Sequence, residues 1–282
     1  MTDFGTRHLQ LSDGRNLSYS DGGSGDNGVW IHCHGIPGSR HELAHISGNL
    51  CSSGLRLIVP DRPSYGDSTP HAEYGFTQHS ADLRELADHL GLERFSVSGF
   101  SGGGVFAMAT AHDLGERAEM LTIAATPAVP LMSNPFDYAS DLTANVWRAA
   151  LEDPDKLAIE LQTLTASPDT LADALISATG PDEAEHLSSE PVYKAFRKST
   201  RTALQQGSTE SAQAFARDSR LVADQWPFRP EDLDLPIQVI HGQCDELVHK
   251  QHQSALIKHL ADAESSLLAG EGHYSVAQFI WG

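Results

Sequence analysis

The sequence predicts an α/β fold: a mostly parallel, doubly wound sheet with an N-terminal antiparallel hairpin and an inserted all-helical segment. Three observations predict it. Short apolar runs alternate with helix-patterned stretches through about residue 130. From 131 to 226 strand signals stop and helical ones replace them, and from 227 to 282 the strand pattern resumes. The helical stretch therefore interrupts one sheet, giving an expected organisation of core 1–130, helical insertion 131–226 and core 227–282. A chain of 282 residues is long enough for one such domain with a sizeable core.

Taken in order, "TRHLQLSDGRNLSYSDGG" holds two alternating segments around Asp13-Gly14, a pairing suited to a tight hairpin turn. "GVWIHCHG" and "RLIVPD" are short apolar runs ending in polar or Gly-rich loops, joined by a segment expected to form a crossover helix. Thr77 stands before "QHSADLRELADHLG" as an expected cap, and Gly91 supplies the stop of a helix over about 77–90. "RFSVSG" reads as a strand, followed by a helix to about 113 and the strand "EMLTIAA". The insertion reads as four to six helices, several opening with Pro, Ser or Asp at capping positions. "PIQVIHG", a helix around "KQHQSALIKHLA" and the run "SSLLAGEGH" complete the sheet before a short final segment.

Composition narrows the functional classes. A net charge of −19 opposes nucleic acid and anionic membrane as partners. No apolar run approaches the roughly 20 residues that span a bilayer, so no membrane anchor is expected. The start "MTDFGTRHLQLSDG" lacks the pattern of a secretory signal, and Cys33, Cys51 and Cys244 are odd in number and scattered, so a cytoplasmic location is expected.

Chemistry concentrates where strands end. Gly99-Phe100-Ser101-Gly102-Gly103 fits G-x-S-x-G at a strand-to-helix junction, where a strained turn would lift the Ser101 hydroxyl above the sheet. Gly99 and Gly103 are needed because side chains there would collide with adjacent strands. The Gly102 amide, at a helix start, is placed to bind an oxyanion. Glycines and serines cluster in ordinary turns, so the motif alone is a weak signal.

Three further segments strengthen it. In "VIHGQCDELV", Asp245 follows a strand end, suited to hold an imidazole in the right tautomer. In "LLAGEGHYSV", His273 follows the last apolar run; among 15 histidines its position singles it out as a general base. In "WIHCHGIPGSR", His34-Gly35 follows an early strand, with the Ile36 amide as second oxyanion donor and His34 as a loop-shaping hydrogen bonder. His32, Cys33 and His34 alternate across a strand and cannot grip one metal ion together. Cys244 is expected to be a small buried residue.

In the order Ser, acid, His, these segments resemble the α/β-hydrolase superfamily over nearly the whole chain, and the insertion resembles its cap domain. "PDRPSYGDS" is similar to a family loop, except that Ser64 replaces a usual glycine. The resemblance implies a serine hydrolase acting on a carboxylic ester of a small to mid-sized, hydrophobic molecule through Ser101, Asp245 and His273. It needs no metal or organic cofactor; the expected partner is a small-molecule substrate, and a homodimer is compatible with the sequence. Epoxide hydrolases and dehalogenases of the superfamily carry an aspartate at the elbow, so Ser101 counts against them. Carbon-carbon bond hydrolases, perhydrolases, acyltransferases and a ligand receptor without turnover stay open. The bare Gly102 is expected to leave room beside the oxyanion site. Phe136, Tyr138, Trp147, Leu151, Tyr193, Phe196 and Trp226 are expected to offer apolar cap surface to substrate or to packing.

Overall fold

The computed structural model describes residues 4–46 and 52–281. Its sheet has eight strands, β1 Gly5–Gln10, β2 Asn16–Gly22, β3 Val29–Cys33, β4 Arg56–Pro60, β5 Phe95–Phe100, β6 Ala118–Ala124, β7 Ile237–Gly242 and β8 Glu264–Leu268. They lie in the order β1-β2-β4-β3-β5-β6-β7-β8. β1 and β2 form the expected hairpin, with Gly14 at φ 89° in its turn. β2 also runs antiparallel to β4, and all remaining neighbours are parallel. Part of the crossover between β3 and β4 falls on 47–51, outside the described residues, as does Cys51.

Side chains alternate across this sheet with period two, and both faces are buried. Ile31, Ile58, Val97, Leu121, Ile123 and Val239 enter one apolar cluster, with α1 Phe76–His89 and α2 Gly103–Leu114 packed over it. Trp30, Leu57, Val59, Phe100, Ala124 and Ile240 enter the cluster on the other face, closed by Val276 and Ile280 from the C-terminal segment. α1 begins one residue before the sequence expectation: Gly75 is the cap position, without a side-chain cap, and Thr77 lies inside the first turn.

Between β6 and β7 there are six α-helices among the described residues: α3 Asp141–Glu152, α4 Pro154–Leu164, α5 Pro168–Ser177, α6 Pro181–Ser188, α7 Glu190–Ala203 and α8 Ser208–Ala223. Local chemistry sets their starts. Ser140, Asp153 and Ser167 each accept a hydrogen bond from the amide three residues on, and proline occupies the first turn of α4, α5 and α6. Val146, Leu157, Leu161, Leu171, Leu175 and Phe215 give these helices an apolar core of their own. α9 Gln251–Leu256 links β7 to β8 and is shorter than its sequence pattern suggests. Among the described residues, no helix is long and apolar enough to cross a membrane.

The chain leaves β3, steps outward to β4, then returns to the other side of β3 as β5. Loops at the carboxyl ends of β3 and β5 therefore diverge, and the crevice between them is where ligands of such sheets gather.

Candidate active site

Ser101 stands at the end of β5 with φ 53°, a left-handed conformation that L-residues adopt at a cost. Its amide donates to Ala124 O at 2.8 Å, tying the turn to the end of β6. The flanking glycines are sterically required. A Cβ at Gly99 would lie 2.4 Å from Gly103 O, and one at Gly103 would lie 2.1 Å from Cys33 O and 2.3 Å from His34 O.

The Ser101 hydroxyl lies 3.0 Å from His273 Nε2, and His273 Nδ1–H donates to Asp245 Oδ2 at 2.8 Å. Asp245 Oδ1 accepts from the amides of Leu247 at 3.0 Å and Val248 at 2.9 Å. His241, at the end of β7, places Nε2 3.2 Å from Asp245 Oδ2 and 2.7 Å from Val248 O. Burial alone would raise the Asp245 pKa. The imidazoles of His273 and His241 outweigh it and hold the carboxyl well below its ordinary range. Burial disfavours the His273 imidazolium, but Asp245, helped by Glu183 and Glu42, outweighs that and lifts its pKa above 6.5.

The expected oxyanion donors, Ile36 and Gly102, both line the cavity over Ser101. Among the described residues neither amide is used in a protein hydrogen bond. The room expected beside Gly102 is absent: a Cβ there would lie 2.5 Å from Ile36 Cδ1 and 2.9 Å from Ile36 Cγ1. The Ile36 side chain fills the space that the glycine leaves open.

Residues that sequence reasoning did not single out shape the His34-Gly35 loop. Arg62 donates from Nη1 to His34 O at 2.6 Å and from Nη2 to Gly35 O at 2.8 Å, while its Nε donates to Asp218 Oδ2 on α8 at 2.7 Å. The Arg62 amide donates to His34 Nε2 at 3.2 Å, which leaves Nδ1–H to donate to Gly35 O at 2.9 Å. Burial and the Arg62 charge press the His34 pKa far below 6.5, so it shapes the loop as a neutral ring. On the cavity side, Glu42 accepts from the Gly35 amide at 2.9 Å and lies 3.3 Å from His32 Nε2. Arg62 lies within the loop "PDRPSYGDS", where the sequence reading gave it no role, and only the fold reveals its partners and those of Glu42. Ser64 keeps the glycine-like conformation of its loop, with φ 74°, and donates to Glu210 Oε1 at 2.5 Å.

The cavity above Ser101 encloses about 70 Å³. Its lining is largely apolar, with Leu142, Val146, Trp147, Leu175, Phe215 and Val222 from the helices and Leu247 and Val248 from the loop beyond β7, interrupted by Thr143 and Ser219. A second recess of about 40 Å³ shares Pro37, Glu42, Phe100 and Tyr274 with it and reaches Leu187 and Phe196. Of the seven apolar residues singled out in the insertion, Trp147 and Phe196 line these spaces. Phe136 and Leu151 pack beside Trp147, Trp226 stacks on Phe228, and Tyr138 and Tyr193 are exposed. Cys244 is exposed, contrary to expectation, because it occupies the loop beyond β7. Among the described residues no cluster of three or more His, Cys, Asp or Glu could hold a metal ion.

A family model described as "alpha/beta hydrolase fold" matches residues 31–278. A stretch of 95 residues is 35% identical to the magnesium-chelatase 30 kDa subunit of Rhodobacter capsulatus, covering 33% of each chain. A stretch of 119 residues is 32% identical to a soluble epoxide hydrolase of Corynebacterium sp. (strain C12), covering 42% of this chain and 41% of that one. These matches span well under half the length of either relative. The fold is also that of a thermophilic esterase from Thermogutta terrifontis, with TM-score 0.71 and 22% identity over 96% of this chain and 92% of that one.

Proposed function

The chain belongs to the alpha/beta hydrolase fold family, and from that premise we propose that it is a serine hydrolase cleaving a carboxylic ester of a small to mid-sized, hydrophobic substrate. The observation that carries this reading is the line of hydrogen bonds from Ser101 through His273 to Asp245, at 3.0 and 2.8 Å. His273 takes the Ser101 proton as the oxygen attacks the ester carbonyl, and Asp245 stabilises the resulting imidazolium. The Ile36 and Gly102 amides hold the oxyanion. His273 returns the proton to the departing alcohol, leaving an acyl-enzyme. Water, activated by the same imidazole, then releases the acid. This sequence of steps uses no metal or organic cofactor.

The apolar wall of the cavity supports a hydrophobic acyl group, and its volume of about 70 Å³ supports a small one with the helices seated as they are. Residues 131–226 act in this reading as a cap over a core built from 1–130 and 227–282. A fluorophosphonate probe with mass spectrometry, beside a chain-length series of p-nitrophenyl esters, tests it. We expect one adduct on Ser101, fastest turnover for short acyl chains, and a loss of about 10⁴-fold or more in kcat for Ser101→Ala. No adduct on Ser101, together with undiminished ester cleavage in Ser101→Ala, would overturn the reading.

A further inference from the structure

Glu183 lies in the first turn of α6, a helix of the insertion, yet its carboxylate reaches the loop that carries His273. It is only 6% exposed. Its Oε1 accepts from the amides of both residues that follow the histidine, Tyr274 at 3.1 Å and Ser275 at 2.9 Å. Gly272, immediately before the histidine, permits this approach, since a Cβ there would lie 1.7 Å from Glu183 Oε2. Among the described residues no Lys, Arg or His forms an ion pair with Glu183. A buried carboxylate with no cation in contact, attracted only by the nearby His273 ring when that is protonated, is a costly way to join two segments, and an apolar contact would join them at less cost.

The position of the two amides supplies a reason. They are the amides at the start of the short helical turn Ser275–Phe279, and holding them fixes the backbone on the C-terminal side of His273. From the other side, the Gly272 amide donates to Ser275 Oγ at 2.8 Å, and Glu271 O accepts from the Cys244 amide at 2.9 Å. Remove Glu183 and the loop keeps its tether to the core and the ring contact of Tyr274 with Phe196 on α7, but loses its hydrogen bonds to the insertion.

We propose that Glu183 is a positioning residue: from the helical insertion it holds the His273 loop so that the imidazole stays aligned between Ser101 and Asp245. The inference rests on the serine-hydrolase reading above. It makes the seating of α6 part of what aligns the base, so the insertion contributes to turnover as well as to the walls of the cavity.

The test uses Glu183→Ala, Glu183→Gln and Gly272→Ala in the full chain, with p-nitrophenyl ester kinetics and the downfield proton resonance of His273 Nδ1–H. Glu183→Ala should lower kcat by about 10- to 100-fold, change KM by less than about twofold, and broaden or shift that resonance. Glu183→Gln, whose amide oxygen still accepts both bonds, should restore kcat to within about threefold and restore the resonance. Gly272→Ala displaces the carboxylate from the core side and should repeat the Ala result, which decides the matter should Glu183→Ala not fold. Unchanged kcat and resonance in Glu183→Ala, or a Gln variant as impaired as the Ala variant, would refute the positioning role while leaving the hydrolase reading intact. A wild-type protein with neither a Ser101 adduct nor ester turnover would instead remove the reading on which the role depends.

Discussion

At Ser101 a left-handed backbone, two sterically obligatory glycines and a hydrogen-bonded imidazole meet within one turn. The base must be neutral to take the serine proton, and Asp245 lifts the His273 pKa above 6.5. Activity should therefore rise with pH through a single deprotonation whose midpoint exceeds 6.5 in the profile of kcat/KM; a midpoint well below 6.5 would contradict the assignment of His273 as base. The same shift has the opposite sign for stability: the attraction of His273 to Asp245 is fully present below the unfolded value of about 6.5. It is lost as pH rises through the higher folded value. Ser101, Asp245 and His273 were legible in the sequence as candidates because Ser101 follows directly on β5 and the other two lie in the loops just beyond β7 and β8, and strand ends are set by local patterning. The Gly102 side was not. Whether a missing Cβ opens a space depends on what lies opposite, and here Ile36 lies there.

At the scale of elements, Arg62 after β4 and Asp218 on α8 form a buried ion pair between residues 156 apart in sequence. The other donors of the same guanidinium grip the carbonyls of His34 and Gly35, so α8 is linked to the His34-Gly35 loop through one side chain. Asp218→Asn keeps the shape but strips Arg62 of its buried counter-charge. Urea unfolding should show a loss of about 3–5 kcal/mol, with ester turnover falling in parallel. A loss under about 1 kcal/mol would mean that solvent compensates Arg62 and Arg217, which also pairs with Asp218, and that the link is weak. Most helices of the insertion were legible from their caps, as at Ser140, Asp153 and Ser167. α6 was not: its eight residues "PDEAEHLS" carry only a short apolar pattern, and its acidic first turn resembles any helix start. That turn is where Glu183 lies.

For the molecule as a whole, 38 acidic residues face 19 Lys and Arg, so most of the excess charge repels itself across the surface. The screening length falls from about 10 Å at 0.1 M salt to about 3 Å at 1 M. Thermal unfolding should consequently move to higher temperature as sodium chloride is raised over that range. A melting temperature that falls with salt would show that attractive surface pairs, such as Arg117 with Asp88, outweigh the net repulsion. By itself the sequence determined the fold class, the interruption of the sheet by helices and the strand ends where the site gathers. Those follow from the two-residue and 3.6-residue periods of burial and from turn residues, which act between near neighbours. Only the tertiary structure decided that β3 lies between β4 and β5, that Ile36 fills the space beside Gly102, and that Glu183 and Asp218 reach back from the insertion. These contacts join residues far apart in the chain, and their partners are chosen by how whole elements pack.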